Sequence, residues 1–139
     1  MEKIALQATK QHGRYTWQGM VSHQATLRTL ARSHVMVISS RMEGGAHVVS
    51  EAIAAGVPVL ASKIAGNCGL LGKDYLGYFP VGNEKALARL LLRAETDQLF
   101  YKKLQDQIKQ LRKLIKPVQE KAAIQKLCAK LFLSIRSNK

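Results

Sequence analysis

Two carboxylates, Glu43 and Glu51, stand with seven residues between them, and those residues begin with a glycine pair, Gly44 and Gly45. A carboxylate repels phosphate but accepts hydrogen bonds from hydroxyl groups. A glycine turn that feeds a helix does the converse. It leaves backbone N–H groups and the positive end of the helix dipole free for an anion. An occupant that satisfies both carries hydroxyls, then phosphates, then more hydroxyls, which is the order of groups in a sugar nucleotide. Each feature alone has a plainer reading: glutamates eight apart occur by chance, and a glycine pair is an ordinary turn. The specific signal is the frame that joins them: Ser40, Glu43, Gly44, Gly45, Glu51, Ala52, Ala54, Gly56, Pro58 and Val59, closing on Ala61 and Ser62.

Such a frame needs a strand before it and a helix after it. Residues 34–38 are a run of apolar types without helical spacing, which predicts a buried strand. Val48, Ala52 and Ala55 recur at helical spacing until Gly56, with Pro58 just beyond, so a helix is predicted between loop and Gly56. With a start near Gly45, Glu51 lies roughly 9 Å along the axis. The site then sits where a parallel sheet ends, the edge at which open sheets take ligands. Residues 57–61 give the next strand, with Pro58 tolerable at its start.

Upstream, residues 2–12 read as an amphipathic helix ending at Gly13. Residues 14–18 alternate and are rich in aromatic and β-branched types, as a strand is, with Trp17 read as a core residue. Gly19, Met20 and Val21 form the turn out of it. Ser22 suits the N-cap of a helix over 23–32 with Ala25, Leu27, Leu30 and Ala31 as its apolar face. Downstream, residues 62–74 read as a long loop punctuated by Gly66, Gly69 and Gly72; an uncommitted loop accounts for it better than a cover whose Asn67 amide is offered to a sugar. A short strand over 77–79 follows. Asn83 caps a helix over 84–95 with Leu87, Leu90, Leu91 and Ala94 inward, a second helix runs from Thr96 to Ile115, Pro117 breaks it, and a third spans 118–136. The fold class is α/β: one domain over 1–139, a Rossmann-like, mostly parallel sheet with helices on both faces, and 96–136 as its C-terminal helices.

Residues 35–62 resemble the signature of retaining, family-four glycosyltransferases of the two-Rossmann-domain (GT-B) type, whose glutamate–seven residues–glutamate motif is matched by Glu43 and Glu51. The resemblance runs from about Arg14 to about Pro117 and corresponds to part of the family's C-terminal, donor-binding domain. It implies that Glu43, the catalytic candidate, binds and orients the donor sugar and that Glu51 binds the ribose. It also implies that Gly44, Gly45 and the N–H groups of Ala46, His47 and Val48 hold sugar and diphosphate, and that Gly19, Met20 and Val21 touch the base. Where the family loop commonly has a further glycine, this chain has Ala46, a change in the shape of the sugar pocket. The loop from Ser40 to Ala46, with residues 70–80, is similar to a bacterial subgroup that includes the selenosugar synthases. That subgroup uses an N-acetylglucosamine nucleotide (a UDP-linked donor) and selenophosphate. His47 differs from the asparagine expected there. By the same resemblance the acceptor-binding domain and two strands of the sheet are absent from this sequence. The chain is therefore expected to be inactive alone and to need that missing half or a second copy beside it.

Composition bounds the rest. The 139 residues carry a formal charge of +13, which raises a nucleic-acid-binding module as the rival reading. Most of the excess lies after Arg93, where aromatics are few, so a solvated helical face accounts for it better. An anionic donor gains from the same field. There is no Asp-x-Asp pair, the aspartates being Asp74, Asp97 and Asp106, so no metal and no other cofactor is expected, and the helix mouth must hold the diphosphate. Cys68 and Cys128 have neither metal nor disulfide spacing, which fits a cytoplasmic protein. No stretch approaches the roughly 20 apolar residues of a membrane span.

Overall fold

The computed structural model describes residues 2–42 and 47–114. Among them the order is α1 (Glu2–Gln11), α2 (His23–Ala31), β1 (Met36–Ile38), α3 (His47–Ala55), β2 (Val59–Ser62), α4 (Ala65–Leu71), β3 (Tyr78–Phe79), α5 (Glu84–Thr96) and α6 (Gln98–Leu114). The strands form one parallel sheet in the order β1-β2-β3. This is the α/β, Rossmann-like arrangement that the alternation of strand and helix signals predicts.

The sheet is built around β2. Val59, Leu60, Ala61 and Ser62 are all fully buried. Successive strand residues point to opposite faces, so both faces of the sheet are covered at its centre. Val49, Ala52 and Ile53 of α3 and Phe100, Leu104 and Ile108 of α6 complete the core. A side chain such as Ile53 contributes about 1.5–3 kcal/mol by leaving water. β3 pairs only with the far end of β2, Ala61 opposite Tyr78 and Ser62 opposite Phe79. The buried Tyr75 hydroxyl takes the place of a strand at the near end: it donates to the Val59 carbonyl at 2.8 Å and accepts from the Val59 N–H at 2.9 Å. Burial holds that phenol above the usual tyrosine range.

Helix boundaries follow local chemistry. The Ser22 hydroxyl accepts from the Ala25 N–H at the start of α2, and the Asn83 side chain accepts from the Ala86 N–H at the start of α5. α3 ends at Gly56, whose φ of +77° is left-handed.

Several expectations need correction. Residues 14–18 form no strand, because no neighbouring strand pairs with them. They fold back on α1, with the Trp17 N–H donating to Thr9 Oγ1 at 3.0 Å, and Trp17 itself is exposed rather than core. The predicted loop over 62–74 contains α4, held by contacts its sequence does not announce. The inner face of α3 is Val49, Ala52 and Ile53, while Ala55 is exposed. In α2 only Leu30 is buried, Leu27 and Ala31 lying at the surface. Leu91 of α5 is likewise exposed. α6 begins after Asp97 rather than at Thr96. The exposed Lys102, Lys103, Lys109, Arg112 and Lys113 form its solvated face. Ile115, Pro117 and the helix predicted over 118–136 lie outside the described residues.

Candidate functional site

β1 runs toward Ser39 and Ser40 at the carboxyl-terminal edge of the sheet, and α3 leaves from His47. Glu43, Gly44, Gly45 and Ala46 themselves lie outside the described residues. His47 and Val48 form the first turn of α3, His47 exposed and Val48 half-buried. Glu51 stands four residues beyond His47, about 6 Å along the axis.

Glu51 is placed against the start of α2. Its Oε1 lies 3.6 Å from His23 Nε2, with the Glu51 side chain 27% exposed. The turn that precedes His23 is Gly19, Met20 and Val21. Gly19 has φ +65°, the left-handed region that favours glycine, and Met20 and Val21 are exposed. Val21 and Val48 share one cavity of about 300 Å³, together with Gln18, Thr26, Leu30 and Met36. Val21 and Val48 thus line one cavity, and Glu51 separately meets His23 at the start of α2. A second hollow of about 490 Å³, lined by His34, Val35, Ala94, Glu95 and Tyr101, includes none of these residues.

Beneath the loop a polar network ties two strand ends together. Ser62 Oγ donates to the Ser40 carbonyl at 2.6 Å, and Asn67 Nδ2 donates to the Ser62 carbonyl at 2.8 Å. Asn67 is fully buried, and its Oδ1 has no partner among the described residues. Its amide nitrogen is thus spent on β2, in place of the sugar contact that the sequence suggested.

Sequence reasoning singled out Glu51 but missed His23. The signal available was modest: Ser22 as N-cap makes His23 the first helical residue, but its approach to Glu51 is a tertiary fact. The arrangement can offer a carboxylate and an imidazole side by side, next to the first turn of a nine-residue helix. Among the described residues no three His, Cys, Asp or Glu side chains gather as a metal site. No helix there is long and apolar enough to cross a membrane.

The family model described as glycosyl transferases group 1 matches residues 2–114. No curated protein matches the chain.

Proposed function

The chain belongs to the group 1 glycosyl transferases, and from that premise we propose that it is a donor-binding domain for a nucleoside-diphosphate sugar. The observation that carries the reading is the approach of Glu51 to His23 at the start of α2, directly after the 19–21 turn and the Ser22 cap. A nucleotide laid along this edge has its base at the turn, its ribose hydroxyls on the Glu51 carboxylate and its diphosphate at the mouth of α3.

In this reading the N–H groups of Ala46, His47 and Val48 stabilise charge on the departing diphosphate, as oriented backbone donors do wherever negative charge develops. No metal ion is required, because the helix mouth does that work. Glu43 accepts hydrogen bonds from the sugar and orients it. Transfer of the glycosyl group, of hexosyl or N-acetylhexosaminyl type, retains configuration at the anomeric carbon. The donor is UDP-linked.

The test is calorimetric titration of uridine diphosphate into the chain and into Glu51→Ala. A carboxylate that receives ribose hydroxyls contributes charge-assisted hydrogen bonds, so the substitution is expected to weaken binding about tenfold or more. Equal affinity in the two proteins overturns the reading. Salt-steep DNA binding indifferent to Glu51 replaces it with a basic nucleic-acid module.

A further inference from the structure

We infer that His23 is a positioning residue for Glu51, and that it thereby sets how strongly the site prefers a ribonucleotide to its 2′-deoxy counterpart. The inference rests on the reading of Glu51 as the acceptor of ribose hydroxyls.

Ser22 caps α2 through its hydroxyl, and its carbonyl receives both the Thr26 N–H at 2.9 Å and the Thr26 hydroxyl at 3.2 Å. His23, the first residue of the helix, is therefore held at a fixed point beside α3. Its Nε2 stands 3.6 Å from Glu51 Oε1, with the imidazole 68% exposed and the carboxylate largely covered. The ring stands against the carboxylate, and the Glu51 side chain keeps 27% of its exposure to solvent.

Among the described residues no other basic side chain pairs with Glu51. The remaining titratable side chains on the two helices are Arg28 of α2 and His47 of α3. An ionised carboxylate has about four lone-pair sites. At 3.6 Å the imidazole stands beyond hydrogen-bond distance, so those sites remain for the two hydroxyls of a vicinal diol. A free glutamate must give up rotamer freedom to meet such a diol in one orientation. A glutamate already steadied by His23 has met that cost before the ligand arrives. The benefit falls on ligands that use both hydroxyls, so it appears as discrimination rather than as a uniform gain.

The experiment measures dissociation constants of uridine diphosphate and 2′-deoxyuridine diphosphate for the full chain and for His23→Ala, His23→Gln and Glu51→Gln, with melting temperatures alongside. The unaltered chain is expected to prefer the ribonucleotide, and His23→Ala to cut that preference about three- to tenfold. The loss should come from weaker ribonucleotide binding, at an unchanged melting temperature. His23→Gln keeps an N–H donor at similar reach and is expected to restore most of the preference. If Glu51→Gln abolishes the preference and His23→Ala leaves it intact, the role of His23 is overturned and the reading of Glu51 stands. If neither substitution moves it, or the unaltered chain binds neither nucleotide, the reading of Glu51 falls and this inference with it. Equal weakening of both nucleotides by His23→Ala, with a lowered melting temperature, marks a purely structural residue and also overturns it.

Discussion

Val37 and Leu60 are partners across the β1–β2 ladder, yet Leu60 is fully buried and Val37 is 42% exposed. One strand spacing, about 4.8 Å, separates a core position from a surface one. The cover over the sheet therefore ends between β2 and β1. On the β2–β3 side the buried Tyr75 hydroxyl pairs with Val59 where β3 falls short. On the β1 side, hollows of about 490 and 300 Å³ flank the strand, and Val35 lines both. The buried core tells the same story: only Leu30 and Ile38 of its members precede residue 47. The candidate site draws on both regimes, with Glu51 on a helix packed into the dense half and the 19–21 turn on the thin one.

The sharpest way to break this contrast is to overfill the dense side. A Cβ on Gly77 would collide with the Val59 carbonyl oxygen and lie 2.6 Å from Tyr75 Cε1. Backbone cannot yield as a side chain does, so Gly77→Ala is expected to cost about 4 kcal/mol or more. Urea denaturation measures it, and a loss below 1 kcal/mol would show that the strand edge is loose after all.

The contrast itself is read from a matched pair. Leu60→Ala leaves a cavity in the core and is expected to cost about 2–5 kcal/mol, whereas Val37→Ala, one strand away, stays within about 1 kcal/mol. Similar losses at the two positions would mean that β1 is covered in solution, by a second copy or another partner. Sedimentation of the unaltered chain would then report an assembly.

A finer probe removes one oxygen. Tyr75→Phe strands the buried N–H and carbonyl of Val59, a cost of about 1–3 kcal/mol. An unchanged midpoint of denaturation would mean that water reaches Val59 and that the dense side is more open than the contacts imply.

These contacts also explain what the sequence could and could not reveal. The start of α5 was legible because a cap residue, Asn83, stands directly before helically spaced leucines, and both signals are local. β2 was legible as an apolar run. α4 was not, since Gly66 and Gly69 cost a helix interior about 1 kcal/mol each and read as loop. What holds α4 is tertiary: the buried Leu71, the Asn67 amide on Ser62, and the Tyr78 hydroxyl 2.8 Å from the Gly72 carbonyl. Residues 14–18 show the reverse failure. Their alternation is strand-like, but a strand exists only beside another, and pairing is not written in the segment itself. At the site, the spacing pointed to Glu51, while His23 became visible only when α2 was seen to begin against α3.

The smallest effect lies at the junction of α5 and α6. Asp97 accepts the Phe100 N–H at 2.9 Å and the Arg93 Nε–H at 3.2 Å, and Arg93 lies over the Phe100 ring at 4.2 Å. The Phe100 N–H, with a further contribution from the Arg93 guanidinium, holds the Asp97 carboxyl below its ordinary value of 3.8. A carboxyl depressed on folding binds more protons in the unfolded chain, so its contribution is complete above that ordinary value and is lost as pH falls through the lower folded one. Asp97→Asn keeps a good cap and removes the charge. Its deficit in melting temperature relative to the unaltered chain should therefore be present near neutrality and shrink as the solution is acidified through 3.8 and below. The carboxylate is exposed and screened, which keeps the difference small. Parallel melting curves across that range would show that the cap works through geometry alone and that the charge on Asp97 adds nothing to the packing of α6 onto the dense half of the sheet.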